Sequence, residues 1–543
     1  MTLGLFQHAP FAHEFQRVLR AGPAGLAELV NASSTSAGPS VSRKKRGTML
    51  ATDVETADGV VRGRRTPRAL QWRSIPYAAA PVGELRWRAP QPVQPWVGVR
   101  DATRFGYAAV QRRNPMVGLR RTGEDCLTLN VTAPPDPSAR SRPVLVFIHG
   151  GGYVFDTAAR YPGDSLAARG DAVVVTLNYR LGALGYVDFT EFSTADRPFE
   201  SNLGLRDQAA ALRWVRRNIA AFGGDPGNVT IFGESSGADA VLTLMATPAA
   251  AGLFHRAIAQ SPAADWAVVD VEEARRFARR LLGRLGVAPD SAAQALTTAA
   301  AKGLCQAAER ALRDVVRAFP GNYPIAPVVD GAFLPLDPLD AITAGSAQAV
   351  PLIVGTNHDE CALSQFDATV PTTAPVLRAA LERCGADYER VVAAYPGYPK
   401  RAAAIQVSTD FVLWRPMQAV LEGHSSRAPT FCYRFDFAPR ALRLAGLGAL
   451  HGIELLPVFG GVDSVPVRLL TLAGGRQGFR AVQGEVQDNW LAFARTGRPL
   501  ASWPEYTVAQ RNTRIIDHPS RTEVDPQRER RLVWEGLRVP AAG

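Results

Sequence analysis

Four short apolar runs, each ended by glycine or polar residues, constrain the fold of this chain more than any other feature. With their flanks they read PVLVFIHGGG, DAVVVTLNYR, GNVTIFGES and VPLIVGTNHDE. Runs of Val, Ile and Leu without polar alternation predict strands that are buried on both faces, as in a parallel sheet covered by helices. Helical stretches lie between them, such as residues 207–222, whose apolar side chains recur at helical spacing. The sequence therefore predicts an α/β fold, with a large, mixed, mostly parallel sheet flanked by helices in a single domain with insertions.

The first residues of the chain have a different composition. Residues 31–47, NASSTSAGPSVSRKKRG, are small and polar and then basic, which is typical of a linker or a disordered tail. We therefore predict a flexible, disordered N-terminal extension over residues 1–48 and the α/β domain over residues 49–543. Met49 is an alternative start of the protein.

Composition and charge exclude several classes of function. The chain has 543 residues, of which 46% are hydrophobic, so it is long enough to bury a large core. Its net charge of +11 comes from scattered arginines, and no basic stripe with interleaved aromatic residues is present. We therefore expect no nucleic-acid partner. No apolar run reaches the ~18 residues that span a bilayer, and no secretory signal is recognisable, so we expect no transmembrane segment and a cytoplasmic location.

The cysteines are five in number and widely spaced, at positions 126, 305, 361, 384 and 432. The sequence contains no C-x-x-C motif and no cluster of histidine and cysteine with the spacing of metal ligands. This pattern predicts buried free thiols in a reducing compartment and no metal site. We also expect no cofactor. The oligomeric state is left open.

A candidate nucleophile lies in TIFGESSGADA, where Ser235 stands between Gly233 and Gly237 in a G-x-S-x-G pattern. The apolar run VTIF before it predicts a strand, and ADAVLTLMA after it predicts a helix. A strand, a tight turn and a helix are the context in which this motif exposes a reactive serine. The hydroxyl would then lie at the positive end of the helix, where developing negative charge is stabilised. A structural glycine-serine turn is the alternative interpretation.

Three consecutive glycines, Gly150 to Gly152, directly follow the strand of FIHGGGYVF. Their backbone N–H groups carry no side chains that would block the approach of an oxyanion in acyl transfer. A flexible turn and a phosphate-binding loop are the alternatives. The phosphate loop is disfavoured because no lysine follows and the spacing of G-x-G-x-x-G is absent.

A serine nucleophile also needs a base and an acid, which follow it in the chain in this kind of fold. Among the later histidines, His451 follows a glycine-rich stretch and precedes a helical segment, whereas His358 competes because it lies just after a strand. Asp359 and Glu360 are candidate acids, since they lie beyond the strand PLIV, where such sheets place functional side chains. From the residues alone, both histidines remain candidates for the base and both carboxylates remain candidates for the acid.

From about residue 51 onward, the chain resembles the type-B carboxylesterase family of large carboxylesterases related to cholinesterases and bacterial para-nitrobenzyl esterases. The resemblance rests on several stretches in the right order: SIPYAAAPVGELRWRAPQP, GEDCLTLNV, FIHGGG, NYRLGALGY, FGGDPGNVTIFGESSGA, GTNHDE and HGIELLPVFG. It implies the α/β-hydrolase fold and a catalytic triad of Ser235, Glu360 and His451. The oxyanion hole that it implies consists of the backbone amides of Gly151, Gly152 and Ser236.

The resemblance also suggests roles outside the triad. It implies a structural ion pair between Arg86 and Glu124 and places Trp266 as a candidate for the acyl pocket, with a core tryptophan as the alternative. Cys126 matches a cysteine whose partner in the family would lie near Ala109, where this chain has no cysteine. We therefore expect the family's first disulfide to be absent.

These features predict a serine carboxylesterase that hydrolyses small-molecule esters through an acyl-enzyme. The alternatives are amide or carbamate hydrolysis or acyl transfer by the same triad, and a non-catalytic binding protein of this fold. A general base must be neutral to accept a proton. If His451 has the pKa of an ordinary imidazole, we expect kcat/KM to rise with pH through an apparent pKa of ~6–7.

Overall fold

The computed structural model describes residues 52–112, 121–136, 141–318, 322–363, 373–472 and 474–537. The predicted extension over residues 1–48 lies outside the described residues and stays a prediction. Residues Thr52–Gly543 form one compact unit. No helix among the described residues has the length and apolar character needed to cross a membrane.

The centre of the described part of the chain is an eleven-stranded mixed sheet with the order β16-β15-β14-β13-β10-β9-β7-β8-β6-β4-β3. The strands β15 to β8 in this order run parallel, and β16, β6, β4 and β3 are joined by antiparallel pairs. The predicted α/β fold with a mostly parallel sheet is therefore confirmed. The strands of this sheet are β3 Arg64–Arg65, β4 Leu70–Pro76, β6 Thr128–Ala133, β7 Arg142–Ile148, β8 Val173–Leu177, β9 Gly224–Glu234, β10 Arg256–Gln260, β13 Leu352–Asn357, β14 Thr430–Phe435, β15 Asn512–Ile516 and β16 Arg521–Val524.

Two small sheets accompany the large one. One contains β1 (Asp53–Thr56), β2 (Gly59–Arg62) and β5 (Val99–Asp101), and the other pairs β11 (Val269–Asp270) with β12 (Val328–Val329). The apolar runs that predicted strands form β7, β8, β9 and β13. Every residue of β7, β8 and β13 is buried, as expected for strands covered on both faces.

Helices cover both faces of the sheet. Alternate residues of β7 pack into two separate hydrophobic clusters, since Val146 contributes to one cluster and Phe147 to the other. The α-helices are α1 Asp164–Gly170, α2 Ala183–Tyr186, α3 Leu203–Asn218, α4 Ser236–Met245, α5 Val271–Leu285, α6 Ala292–Thr298, α7 Ala301–Ala318, α8 Pro338–Ala344, α9 Ala374–Arg383, α10 Tyr388–Ala393, α11 Arg401–Thr409, α12 Arg415–His424, α13 Arg440–Leu444, α14 Leu455–Phe459, α15 Val465–Leu470, α16 Arg476–Thr496 and α17 Arg528–Trp534. A π-helical turn, Asp410–Trp414, joins α11 to α12.

Candidate active site

Ser235 occupies a sharp turn between β9, which ends at Glu234, and α4, which begins at Ser236. Its backbone has φ 57° and ψ −131°, a conformation that a residue with a side chain rarely adopts and that is common at functional sites. The Ser235 N–H donates to the carbonyl of Gln260 at 2.9 Å, which ties the turn to the neighbouring strand β10. The serine is half-buried and lies at the N-terminus of a ten-residue helix.

The two glycines of the motif are required by close backbone contacts. A Cβ atom on Gly233 would lie 2.3 Å from the carbonyl oxygen of Gly237. A Cβ atom on Gly237 would lie 2.2 Å from the carbonyl oxygen of Ile148, at the end of β7. The serine turn therefore packs directly against the strand that leads into the three glycines.

The triple-glycine turn lies against the serine turn. A Cβ atom on Gly150 would lie 2.5 Å from the carbonyl oxygen of Glu234, and Tyr153 N donates to Ser236 Oγ at 3.2 Å. Gly151 and Gly152 have φ values of 98° and 58°, which favour glycine.

The backbone N–H groups of Gly151, Gly152 and Ser236 donate no hydrogen bond to any other residue in the described part of the chain. The Tyr323 hydroxyl, which sequence reasoning missed, donates to the carbonyl of Gly152 at 2.7 Å and holds this turn. The three amides of the predicted oxyanion hole thus lie on two turns in contact, and their role in binding an oxyanion stays a prediction.

Glu360 and His451 form a short hydrogen bond from two separate loops. Glu360 follows β13 and its side chain is fully buried. Its Oε1 accepts from the backbone N–H of Asn357 at 2.6 Å, and its Oε2 lies 2.6 Å from His451 Nδ1. A carboxylate on Nδ1 fixes the orientation of the imidazole and leaves Nε2 as the nitrogen that can exchange a proton. The His451 side chain is 33% exposed.

Two further carboxyl groups surround this pair, and sequence reasoning missed both. Glu234 Oε1 lies 3.2 Å from His451 Nε2 and has no hydrogen-bond partner among the described residues. Glu454 Oε2 accepts from Asn357 Nδ2 at 2.5 Å. The available signals were the position of Glu234 inside the G-x-S-x-G motif and the position of Glu454 three residues after His451.

The carboxyl groups change the acid-base properties of the site. Burial raises the pKa of Glu234 to about 7, although the charge of His451 opposes this shift. Burial, with the charges of Glu234 and Glu360, raises the pKa of Glu454 to about 8. Burial alone would lower the pKa of His451, but the charges of Glu234 and Glu360 and the Glu360 hydrogen bond outweigh it and raise this pKa.

The other candidate histidine has different neighbours. His358 Nδ1 lies 3.0 Å from Asp359 Oδ1, and its side chain is 37% exposed. Asp359 Oδ2 accepts from the backbone N–H of Ala449, so this carboxylate holds the loop before His451 in place. His358 thus pairs with its own neighbour and not with Glu360. No group of three or more potential ligands among the described residues is arranged to hold a metal ion.

Comparison with known proteins places the chain in a family. Residues 51–380 match the Carboxylesterase family. The para-nitrobenzyl esterase of Bacillus subtilis is 37% identical over 489 residues, which cover 88% of this chain and 97% of that protein. The chain belongs to the carboxylesterase family. It is a carboxylic-ester hydrolase, as the sequence resemblance predicted.

Solved structures agree with this assignment. A PNB esterase structure matches the carboxylesterase with a TM-score of 0.80 and 37% identity, covering 89% of this chain and 99% of the other. A carboxylesterase of Geobacillus stearothermophilus matches with a TM-score of 0.79 and 34% identity, covering 89% and 100%.

The carboxylesterase contains the ion pair that the resemblance implied. Arg86 Nε and Nη2 donate to the two carboxylate oxygens of Glu124 at 2.7 and 2.9 Å. Arg86 Nη1 also donates to the carbonyl of Thr297 at 2.8 Å. Because these contacts join separate segments outside the Ser235 turn, the pair has a structural role.

All five cysteines are free thiols, as predicted, and the family's first disulfide is absent. Four of them are buried, but Cys384 is half-buried, so the prediction of burial is wrong for that one. Trp266 packs edge-on against Phe411 with 6.0 Å between the ring centres. Its role in an acyl pocket stays a prediction.

Proposed function

We propose that this carboxylesterase hydrolyses small-molecule esters with Ser235 as nucleophile, His451 as general base and Glu360 as the acid that orients it. The single observation that carries the proposal is the 2.6 Å contact between Glu360 Oε2 and His451 Nδ1, on loops separate from the strained Ser235 turn. A buried carboxylate on Nδ1 stabilises the imidazolium that forms when Nε2 takes the proton of the serine.

The reaction then follows from these groups. Ser235 Oγ attacks the ester carbonyl while its proton passes to His451 Nε2, and a tetrahedral oxyanion forms. The N–H groups of Gly151, Gly152 and Ser236, which are free of other described partners, stabilise this oxyanion. The alcohol leaves with the proton from His451. Water then attacks the acyl-enzyme while its proton passes to His451, and collapse of the second tetrahedral intermediate returns this proton to Ser235 Oγ and releases the carboxylic acid.

Amide or carbamate cleavage and acyl transfer would use the same residues. No contact among the described residues favours these reactions over ester hydrolysis. The cytoplasmic location likewise stays a prediction.

Covalent labelling tests the proposed nucleophile. A fluorophosphonate probe is expected to modify one residue, Ser235, and to abolish hydrolysis of p-nitrophenyl esters in proportion to labelling. Peptide mapping by mass spectrometry identifies the modified serine, and heat-unfolded protein is the control that should not react. An adduct on another serine, or active protein that resists the probe, would contradict the assignment.

The pH dependence of kcat/KM tests the role of His451. Since its pKa is raised, His451 keeps its proton to higher pH, and only the neutral ring acts as a base. We therefore expect kcat/KM to rise through an apparent pKa above the ~6.5 of free imidazole, higher than the sequence alone suggested. Replacing Glu234 by glutamine removes one negative charge beside the ring and should lower this apparent pKa by about one to two units.

The measurement is a pH profile of kcat/KM for the wild type, Glu234→Gln and the control Glu84→Gln. Glu84 is an exposed carboxylate in the short turn Gly83–Leu85, so its replacement should leave the profile unchanged. Identical profiles for Glu234→Gln and the wild type would show that Glu234 does not act on the base.

A further inference from the structure

Three successive residues of the turn that follows β7 have positive φ angles. The values are 98° for Gly151, 58° for Gly152 and 57° for Tyr153. The last value is unfavourable for a residue with a side chain, and such a conformation persists only where the surrounding structure holds it. The positions of the Gly151 and Gly152 N–H groups therefore depend in part on contacts from outside the turn.

Among the described residues, three hydrogen bonds from other segments hold this stretch. The Gly182 N–H donates to the Tyr153 carbonyl at 2.7 Å, and the Tyr153 N–H donates to Ser236 Oγ at 3.2 Å. The third donor is the Tyr323 hydroxyl, 2.7 Å from the Gly152 carbonyl oxygen. No other described donor reaches that carbonyl. Tyr323 is thus the side chain that fixes Gly152 from outside the two glycine-bearing turns.

The end of the Tyr323 side chain lies directly against Gly152. A Cβ atom on Gly152 would lie 2.6 Å from the Tyr323 hydroxyl oxygen. Both residues are half-buried, so this contact is not enclosed in the core. Glycine at position 152 is therefore required twice, by its positive φ and by the approach of this hydroxyl.

The segment that carries Tyr323 is itself fixed. Ile325 and Ala326 are fully buried. The Val328 N–H donates to Asn202 Oδ1 at 2.7 Å, and the Val328 carbonyl accepts from Asn202 Nδ2 at 2.9 Å. Because these contacts are separate from the glycine turn, the Tyr323 hydroxyl is an anchor that does not move with the turn it holds.

We propose that Tyr323 is a positioning residue for ester hydrolysis, whose hydroxyl holds the Gly152 carbonyl so that the N–H groups of Gly151 and Gly152 point to the oxyanion. This inference rests on the proposed function, because it takes the oxyanion hole from it. Tyr323 acts through the backbone and takes no part in proton transfer.

The expected consequence concerns the transition states and not the bound ester. An oxyanion forms both in acylation and in deacylation, and donors placed in advance stabilise it in both steps. Without the hydroxyl, the Gly152 carbonyl loses its donor and the turn loses one of its outside contacts. A small displacement of the two N–H groups then lowers the rate of both steps.

The test begins with Tyr323→Phe, which removes the hydroxyl and keeps the ring. The matched control is Tyr388→Phe in α10. The Tyr388 hydroxyl donates to the Tyr398 hydroxyl at 3.0 Å, so the control also loses one tyrosine hydrogen bond. The measurements are kcat and KM for p-nitrophenyl butanoate, with the thermal unfolding temperature as a check on the fold.

We expect kcat and kcat/KM to fall together by about 3- to 30-fold in Tyr323→Phe, the loss that follows when a carbonyl is left without its donor, with KM unchanged within about twofold. Tyr388→Phe should retain both parameters within about twofold. A kcat of Tyr323→Phe equal to that of the wild type would overturn the inference, and so would a rise in KM that accounts for the whole loss of kcat/KM.

Two ketone inhibitors separate positioning of the oxyanion hole from a change in the binding site. The trifluoromethyl analogue of benzylacetone is attacked at its carbonyl carbon by Ser235 Oγ, while the serine proton passes to His451 and the ketone oxygen becomes the oxyanion. Benzylacetone itself binds without this addition.

We expect the Ki of the trifluoromethyl ketone to rise about 3- to 30-fold in Tyr323→Phe, in step with the loss of kcat, and the Ki of benzylacetone to stay within about twofold. Since an inhibition constant does not depend on the fraction of folded protein, partial unfolding of the variant would not produce this difference. Equal increases for both ketones would overturn the inference.

The failure of the proposed function is distinguishable from the failure of this inference. If Ser235→Ala retains full activity, or if the trifluoromethyl ketone forms no adduct with Ser235 of the wild type, the proposed function is wrong and the inference is lost with it. If hydrolysis depends on Ser235 and the adduct forms, but Tyr323→Phe leaves kcat and the ratio of the two Ki values unchanged, only the inference is wrong.

Discussion

Replacing Ser235 by alanine is expected to lower kcat for ester hydrolysis by about 10⁴- to 10⁶-fold, the loss found when the nucleophile of other serine hydrolases is removed. Without the hydroxyl no acyl-enzyme forms, and only substrate binding and the oxyanion amides remain to promote attack by water. The fold should be retained, because the Ser235 contacts described above are made by its backbone, to Gln260 and Asp239.

The measurement is kcat for p-nitrophenyl esters, together with the thermal unfolding temperature as a check on the fold. The matched control is Ser236→Ala at the next position, which keeps the backbone N–H of the oxyanion hole and loses only the Oγ contact to Tyr153. We expect this control to retain activity within about tenfold, since a neutral hydrogen bond contributes ~0.5–1.5 kcal/mol. Comparable losses in both variants would argue against Ser235 as the nucleophile.

Replacing His451 by glutamine is expected to lower kcat by about 10⁴- to 10⁶-fold as well, because nucleophile and base act as a unit. Glutamine can still donate to Glu360 but cannot take the serine proton. The measurement is again kcat for p-nitrophenyl esters. We also expect a fluorophosphonate to label Ser235 more slowly in this variant, since the serine is no longer activated.

The matched control for His451 is His358→Gln. His358 lies 3.0 Å from Asp359 Oδ1, so it reproduces a histidine-carboxylate pair at a different place in the structure. Asp359 also accepts from Ala449 N–H and from Gln406 Nε2, and it therefore keeps its position when His358 is replaced. We expect His358→Gln to remain active within about threefold, as for a surface substitution. A larger loss for His358→Gln than for His451→Gln would reverse the assignment of the base.

The parts of this structure that sequence analysis predicted are those governed by local patterns. The apolar runs indicated β7, β8 and β13 because strands covered on both faces are made largely of apolar residues. The glycines around Ser235 and after Ile148 signalled tight turns because only glycine tolerates those contacts.

The parts that sequence analysis missed depend on contacts between distant segments. Tyr323 reaches the Gly152 carbonyl across 171 positions, and no local pattern marks a tyrosine for that role. Glu234 stood inside the motif that was recognised, but its effect depends on burial and on His451, 217 positions away in the chain. Residue patterns likewise could not decide whether His358 or His451 is the base, because both lie in segments where a loop is plausible. Only the resemblance to the family separated them.

The interlocking of the two glycine-bearing turns limits how this enzyme can be redesigned. A side chain at position 237 would clash with the carbonyl of Ile148, and one at position 150 would clash with the carbonyl of Glu234. Each turn therefore restricts the residues that the other can contain. A library that randomised these positions would mostly yield misfolded proteins and teach little about selectivity. Selectivity is better explored at side chains that lie outside this backbone block. The proposed nucleophile and the proposed oxyanion hole are therefore fixed together by one backbone arrangement, and the substrate range has to be changed through residues outside it.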